Sequence, residues 1–140
     1  MPKADANGIQ IEYDTFGAPP DPPLLLIAGL GRQLVFWDPE FCKRLADKGL
    51  WVIRYDNRDT GFSTRFEEAG IPDIMTVYNA KLQGESPQVP YTLDDMADDA
   101  AGLLEALEIE RAHICGVSMG AAITQTMGYR HPDRVQTLIP

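Results

Sequence analysis

Histidine is almost missing from this chain: His113 and His131 are the only two in 140 residues. Cysteine is equally scarce, with Cys42 and Cys115 standing far apart. Two lone histidines and two separated thiols make no zinc-ligand pattern, so no metal site is expected. A disulfide framework is not expected either, and reduced thiols in the cytoplasm are. No apolar run reaches the length of a membrane span, and the opening MPKADANG has no apolar signal core. Basic residues are the minority, 12 against 21 acidic, for a net charge of -9. That balance argues against nucleic acid and against anionic membrane surfaces as partners. Repeats and low-complexity tracts are also absent.

What is present reads as one soluble domain over residues 1–140. Hydrophobic residues make up 44% and charged residues 24%, ordinary values for a globular chain long enough to bury a core. Asn7-Gly8 followed by alternating Ile9, Ile11 and Tyr13 signals a hairpin. LLLIAG (Leu24 to Gly29), LWVIRYD (Leu50 to Asp56) and HICGVS are continuous apolar runs of strand length, the pattern of strands covered on both faces. RVQTLIP begins a further strand. Between them, DPEFCKRLADKG predicts a short helix stopped by Gly49. Thr92 with Asp95 forms a variant capping box ahead of Leu93, Met96, Ala97, Ala100, Leu104 and Leu107 at helical spacing. MGAAITQTMGYRHP is a last helix, ended by His131-Pro132. Residues 65–91 carry scattered Gly and Pro without a clear period and are expected to run over the surface. Alternating strands and helices place the chain in the α/β class: an antiparallel hairpin, then a mostly parallel sheet with helices on both faces.

One pentapeptide carries chemistry. GVSMG, Gly116 to Gly120, fits G-x-S-x-G, a pattern that chance alone puts in roughly 5% of chains this long. Here it follows an apolar strand and opens a helix, the context in which such a serine is a nucleophile on a tight turn. Ser118 is expected in a strained backbone conformation. Gly116 and Gly120 flank it where a side chain would clash as strand and helix close. The helix beginning at Met119 aims its free N–H groups at the reacting oxygen. A second feature agrees. AGLG, Ala28 to Gly31, lets a loop bend inward, making the Leu30 N–H a natural oxyanion donor beside that of Met119.

At this point the chain resembles the α/β-hydrolase family over its whole length. The residues carrying the likeness are LLLIAGLG with Trp37, RYDNRDTGFST, HICGVSMGAAITQ and RHPDRV. RYDNRDTGFST and GVSMGAAITQ look most like the small-molecule esterase branch that includes polyketide methylesterases. The resemblance implies a small-molecule ester or related acyl substrate and no cofactor, with Ser118 as nucleophile and Leu30 and Met119 as oxyanion donors. AGLG departs from the HG start frequent in the family, but a backbone donor is indifferent to Ala28. Serine at the turn argues against the dehalogenase branch, which places aspartate there.

A serine hydroxyl needs a base, and in this family acid and histidine follow the serine along the chain. After Ser118 the only carboxylate is Asp133 and the only histidine His131. A base must come within about 3 Å of the serine oxygen. His131 lies roughly 20 Å along the helix, and His113 roughly 16 Å back along the strand. His131 is expected to favour the helix C-terminus and His113 to be structural. Asp56 and Asp59 approach the active face but have no histidine to orient. The expectation is an N-terminal portion of a hydrolase about twice this length. It is a fragment, a truncated reading frame or one chain of a split protein, weakly active at most. Its exposed sheet edge is expected to favour self-association or a complementary C-terminal half. Two other readings remain open: a non-catalytic module of the same fold, and a dinucleotide-binding domain. The latter would use Gly29, Gly31 and Asp56, but its third glycine position is Leu34 and it leaves GVSMG unexplained.

Overall fold

In the computed structural model, which describes residues 1–140, Asn7 and Gly8 take positive φ of 51° and 78°. Positive φ at both centres is the tight turn whose twist matches that of its strands. It joins β1 (Lys3–Ala6) to β2 (Ile9–Phe16), with Ala6 opposite Ile9. β3 (Pro23–Ile27), β4 (Trp51–Tyr55), β5 (Ala112–Gly116) and β6 (Val135–Ile139) complete one sheet in the order β1-β2-β4-β3-β5-β6. β2 pairs antiparallel with β4, and β3 to β6 run parallel. The protein therefore has the expected α/β fold, a hairpin leading into a parallel sheet.

The continuous apolar runs are explained by two-sided burial. Alternate residues of a strand face opposite ways. Leu25 and Ile27 enter the larger core with Ile53, Ile114 and Leu104, while Leu24 and Leu26 enter a smaller one with Cys42 and Val52. α1 (Pro39–Asp47), α3 (Leu93–Ala106) and α4 (Met119–Arg130) supply the covering helices. β3 and β4 stop one or two residues before the apolar runs suggest, leaving Ala28, Gly29 and Asp56 in the loops that build the site.

α3 starts as its sequence requires. The Thr92 N–H donates to Asp95 Oδ2 at 2.7 Å, and the Asp95 N–H to Thr92 Oγ1 at 3.4 Å. Met96, Ala97, Ala100 and Leu104 are buried, joined by Leu103, whereas Leu93 at the first turn is 40% exposed. The 65–91 segment runs over the surface as expected, but not without regular structure. It contains a further helix, α2 (Ile74–Leu82), capped by Asp73, whose Oδ1 accepts from the Thr76 N–H at 3.2 Å. Ile74, Met75, Tyr78 and Leu82 are all exposed. Ile74, Val77, Tyr78 and Leu82 do stand at helical spacing, but Lys81 falls among them and the run is only nine residues, too short and mixed for periodicity to mark it.

One buried ion pair ties three of these elements together. Arg58, just past β4, donates to both carboxylate oxygens of Asp99 on α3, at 2.6 and 2.7 Å. Asn7 of the hairpin turn donates to the same carboxylate at 2.9 Å. The guanidinium lies over the rings of Phe66 and Tyr91, 5.0 and 5.2 Å from their centroids. Removing one member strands a buried charge, which costs about 3–5 kcal/mol. Asp99→Ala is therefore expected to lose that much stability in urea unfolding, and the double change Asp99→Leu with Arg58→Met to recover most of it.

Candidate functional site

Between β5 and α4 the chain reverses in two residues, Val117 and Ser118. Ser118 takes φ 57° and ψ −121°, a region that costs a residue with a side chain about 1–3 kcal/mol. Packing on both sides holds it there. A Cβ at Gly116 would fall on the Gly120 carbonyl, and one at Gly120 would fall on the Ile27 carbonyl at the end of β3. The Val117 N–H donates to that same Ile27 oxygen at 3.2 Å. Ser118 is exposed, and its hydroxyl caps no amide of the helix it precedes. An ordinary N-cap serine would spend its oxygen on such an amide. This oxygen is free.

The loop after β3 lies directly against that serine. A Cβ on Gly29 would sit 3.2 Å from the Ser118 Cβ and 3.6 Å from its Oγ. The loop then turns sharply, with the Arg32 N–H donating to the Gly29 carbonyl at 3.1 Å and Gly31 at φ 68°. Leu30 forms the corner and is 78% exposed. Its N–H takes no backbone acceptor. The Met119 N–H opens α4 and has no partner within the helix. Two unpaired amides and an unpaired hydroxyl thus occupy adjoining backbone turns.

No base stands beside them. His131 closes α4 and places Nε2 2.6 Å from Asp98 Oδ1. The hydrogen bond from Arg130, aided by His131, holds the Asp98 carboxyl down at about 2. His113 Nδ1 meets Thr137 Oγ1 of β6 at 2.7 Å. Asp59 accepts from the Phe66 N–H at 2.9 Å and from the Tyr91 hydroxyl at 2.8 Å. Burial and that bond push the Tyr91 hydroxyl up to about 12. Asp133 is exposed in the turn before β6. Each group weighed as a partner for Ser118 is either engaged elsewhere or set away from it. No cluster of three His, Cys, Asp or Glu is arranged to hold a metal, and no helix is long and apolar enough to cross a membrane. Both cysteines are free, and burial pushes both thiols above their ordinary value.

Comparison with known proteins adds to this geometry. A family profile described as alpha/beta hydrolase fold matches residues 22–139. The chain is 39% identical over 122 residues to rhodomycin D methylesterase DauP of a Streptomyces species, covering 87% of this chain and 35% of that protein. It is 29% identical over 134 residues to 3-oxoadipate enol-lactonase 2 of Acinetobacter baylyi, covering 96% of this chain and 42% of the relative. The crystal structure of an enol-lactonase from Burkholderia xenovorans superposes with a TM-score of 0.72 at 32% identity, over 96% of this chain and 44% of that one. The chain thus spans well under half the length of these relatives.

Sequence reasoning passed over the polar groups that hold the loop from below. Arg54 of β4 pairs with both oxygens of Asp14 at 2.7 and 2.8 Å, and also donates to the carbonyls of Leu34 and Trp37. Glu12 of β2 is buried beside Asp56, against a small cavity that Gln33, Leu34 and Phe62 also line. The available signal was polarity itself: RYDNR continues a buried strand with groups that must find partners. Burial first, then the Asp56 charge, raise the Glu12 carboxyl above its ordinary 4.5. A raised acid stabilises the fold while protonated, and that contribution is lost as pH rises through the raised value. Glu12→Gln is therefore expected to melt higher than the parent at pH 7.5, with the gap closing toward pH 4.5. A gap that widens on acidification would contradict this.

Proposed function

The chain belongs to the α/β-hydrolase fold family, and from that membership we propose that it carries the nucleophile and oxyanion part of a serine hydrolase. The substrate class is a small-molecule carboxylic ester or related acyl compound. Ser118 Oγ attacks the acyl carbon, and the carbonyl oxygen gathers negative charge as the tetrahedral intermediate forms. The N–H groups of Leu30 and Met119 donate to that oxygen, a service that one well-placed donor renders with about a 100- to 1,000-fold effect on rate. The intermediate collapses by expelling the alcohol, and water later releases the acid from the serine. No cofactor takes part in these steps, and the reduced state of Cys42 and Cys115 suits the cytoplasm. Two relatives are named as a methylesterase and an enol-lactonase. Esters and lactones share one carbonyl chemistry, and that favours an oxygen leaving group here too.

The observation that supports this reading is the close approach of the loop at Gly29, where a Cβ would sit 3.2 Å from the Ser118 Cβ, with the Leu30 and Met119 amides free of backbone acceptors. The serine proton goes to a base outside these 140 residues, since His113 and His131 are bound elsewhere. The same proposal assigns an association role to the open edge of β6, where Leu138 and Ile139 are 40% and 50% exposed. Either a second copy or a complementary segment completes the sheet there. The missing base also favours a second reading, in which the chain is a non-catalytic module of this fold.

A fluorophosphonate probe separates the two readings. The Ser118 Oγ–P bond forms as the P–F bond breaks, and fluoride leaves as the hydroxyl proton passes to base. Free imidazole, standing in for the absent histidine, is expected to speed labelling about tenfold or more. Peptide mapping should place the adduct on Ser118, and Ser118→Ala should abolish it. Labelling that survives this substitution, or a Ser118 inert even with imidazole, favours the non-catalytic module.

A further inference from the structure

Residues 28–34 make the Leu30 corner, and little within the segment holds it in place. Its internal hydrogen bond is the one from Arg32 to Gly29, and Leu30, Gly31, Arg32 and Gln33 are all exposed. Two buried side chains at the end of β4 hold its two ends. Asn57 Nδ2 donates to the Ala28 carbonyl at 3.1 Å, two residues before Leu30. Asp56 Oδ1 accepts from the Leu34 N–H at 2.6 Å, four residues after it. Asp56 and Asn57 are only 1% and 2% exposed.

Asp56 is itself bonded through its carboxylate, its N–H and its carbonyl. Its Oδ2 accepts from the Phe62 N–H at 3.0 Å, its own N–H donates to the Glu12 carbonyl at 3.0 Å, and its carbonyl accepts from Ser63 Oγ at 2.6 Å. Gly61 lies so close that a Cβ there would collide with the Asp56 carboxylate. The two anchors are therefore fixed to the sheet, and the exposed corner is strung between them.

We propose that Asn57 and Asp56 are positioning residues: together they clamp the Ala28–Leu34 loop so that the Leu30 N–H faces the oxygen developing at Ser118. The inference rests on the roles given above to Ser118 and Leu30, and adds what aims the donor. Chemistry makes each anchor specific. The Ala28 carbonyl can only accept, so the Asn57 amide is required and Asn57→Asp sets oxygen against oxygen. The N–H groups of Leu34 and Phe62 can only donate, so a carboxylate with two free oxygens satisfies both and Asp56→Asn satisfies one. Aim matters because a displacement of about 1 Å costs on the order of 100-fold in rate.

The test uses the full 140-residue chain, ¹⁵N-labelled, with a small alkyl fluorophosphonate and imidazole. In the parent adduct the phosphonyl oxygen occupies the oxyanion position, and the Leu30 and Met119 amide protons are both expected to move downfield. In Asn57→Asp and Asp56→Asn the Leu30 shift should vanish while that of Met119 persists. The saturating labelling rate should fall about 10- to 100-fold, with the half-saturating concentration within about twofold. Asn57→Ala, which removes the donor without adding repulsion, carries the same expectation should either of these fail to fold. A folded variant that keeps both shifts and the parent rate overturns the clamp alone. Loss of both shifts together also overturns it, because it reports general disorder and not aim. A parent chain that takes no probe at Ser118 removes instead the functional reading beneath it.

Discussion

Two crowded positions, Gly120 against the Ile27 carbonyl and Gly116 against the Gly120 carbonyl, govern everything around the site. With hydrogen as the only side chain at Gly116 and Gly120, the first turn of α4 presses onto the ends of β3 and β5. The chain between them must then reverse in two residues, and Ser118 is forced to positive φ. A strained residue persists only where its surroundings over-determine it. Here the crowding at the flanking glycines comes mainly from backbone carbonyls, those of Gly120 and Ile27, and these cannot relax as side chains do. The exposed hydroxyl follows from that crowding.

A second constraint runs along the strand ends. The end of β4 and the three residues after it, Arg54 to Arg58, are all buried, and four of the five are polar. Burying such groups is costly unless each is paired, and the pairing fixes the neighbouring loops. Arg54 holds Asp14 and the carbonyls of Leu34 and Trp37. Asp56 and Asn57 hold the two ends of the loop at Leu30. Arg58 reaches the other way, to Asp99 and through it to the hairpin turn at Asn7. One strand end thus anchors the loop on one side of the sheet and a helix on the other. Rigidity at the site comes from these bonds, since the loop itself is largely exposed.

The division of labour that results is uneven. The serine turn is set by backbone crowding at Gly116 and Gly120, and the loop beside it is held by the side chains of Asp56 and Asn57. Proton transfer is different, because it needs a side chain brought within hydrogen-bond reach from elsewhere. Both histidines are committed to other partners, one to Thr137 on the edge strand and one to Asp98 on α3. The chain spans 35% to 44% of the relatives compared, so the remainder of their length has no counterpart here.

Local chemistry was legible in the sequence wherever a residue acts on its immediate neighbours. Asn7-Gly8 announced a turn because both residues tolerate positive φ, and Thr92 with Asp95 announced a helix start because each satisfies the other's amide. The apolar runs announced two-sided strands, and GVSMG a sharp reversal. α2 was not legible, since its apolar pattern runs for only nine residues with Lys81 among them, between segments rich in Gly and Pro. Nor were Asp56 and Asn57 as anchors: their partners stand 22 and 29 residues away, and adjacency in sequence says nothing about them. Hydrophobic spacing and turn chemistry are short-range, so the sequence by itself determined the elements and the serine turn. Which buried polar group meets which loop is long-range, decided only when parallel strands bring Leu26 beside Arg54 and Ile27 beside Gly116.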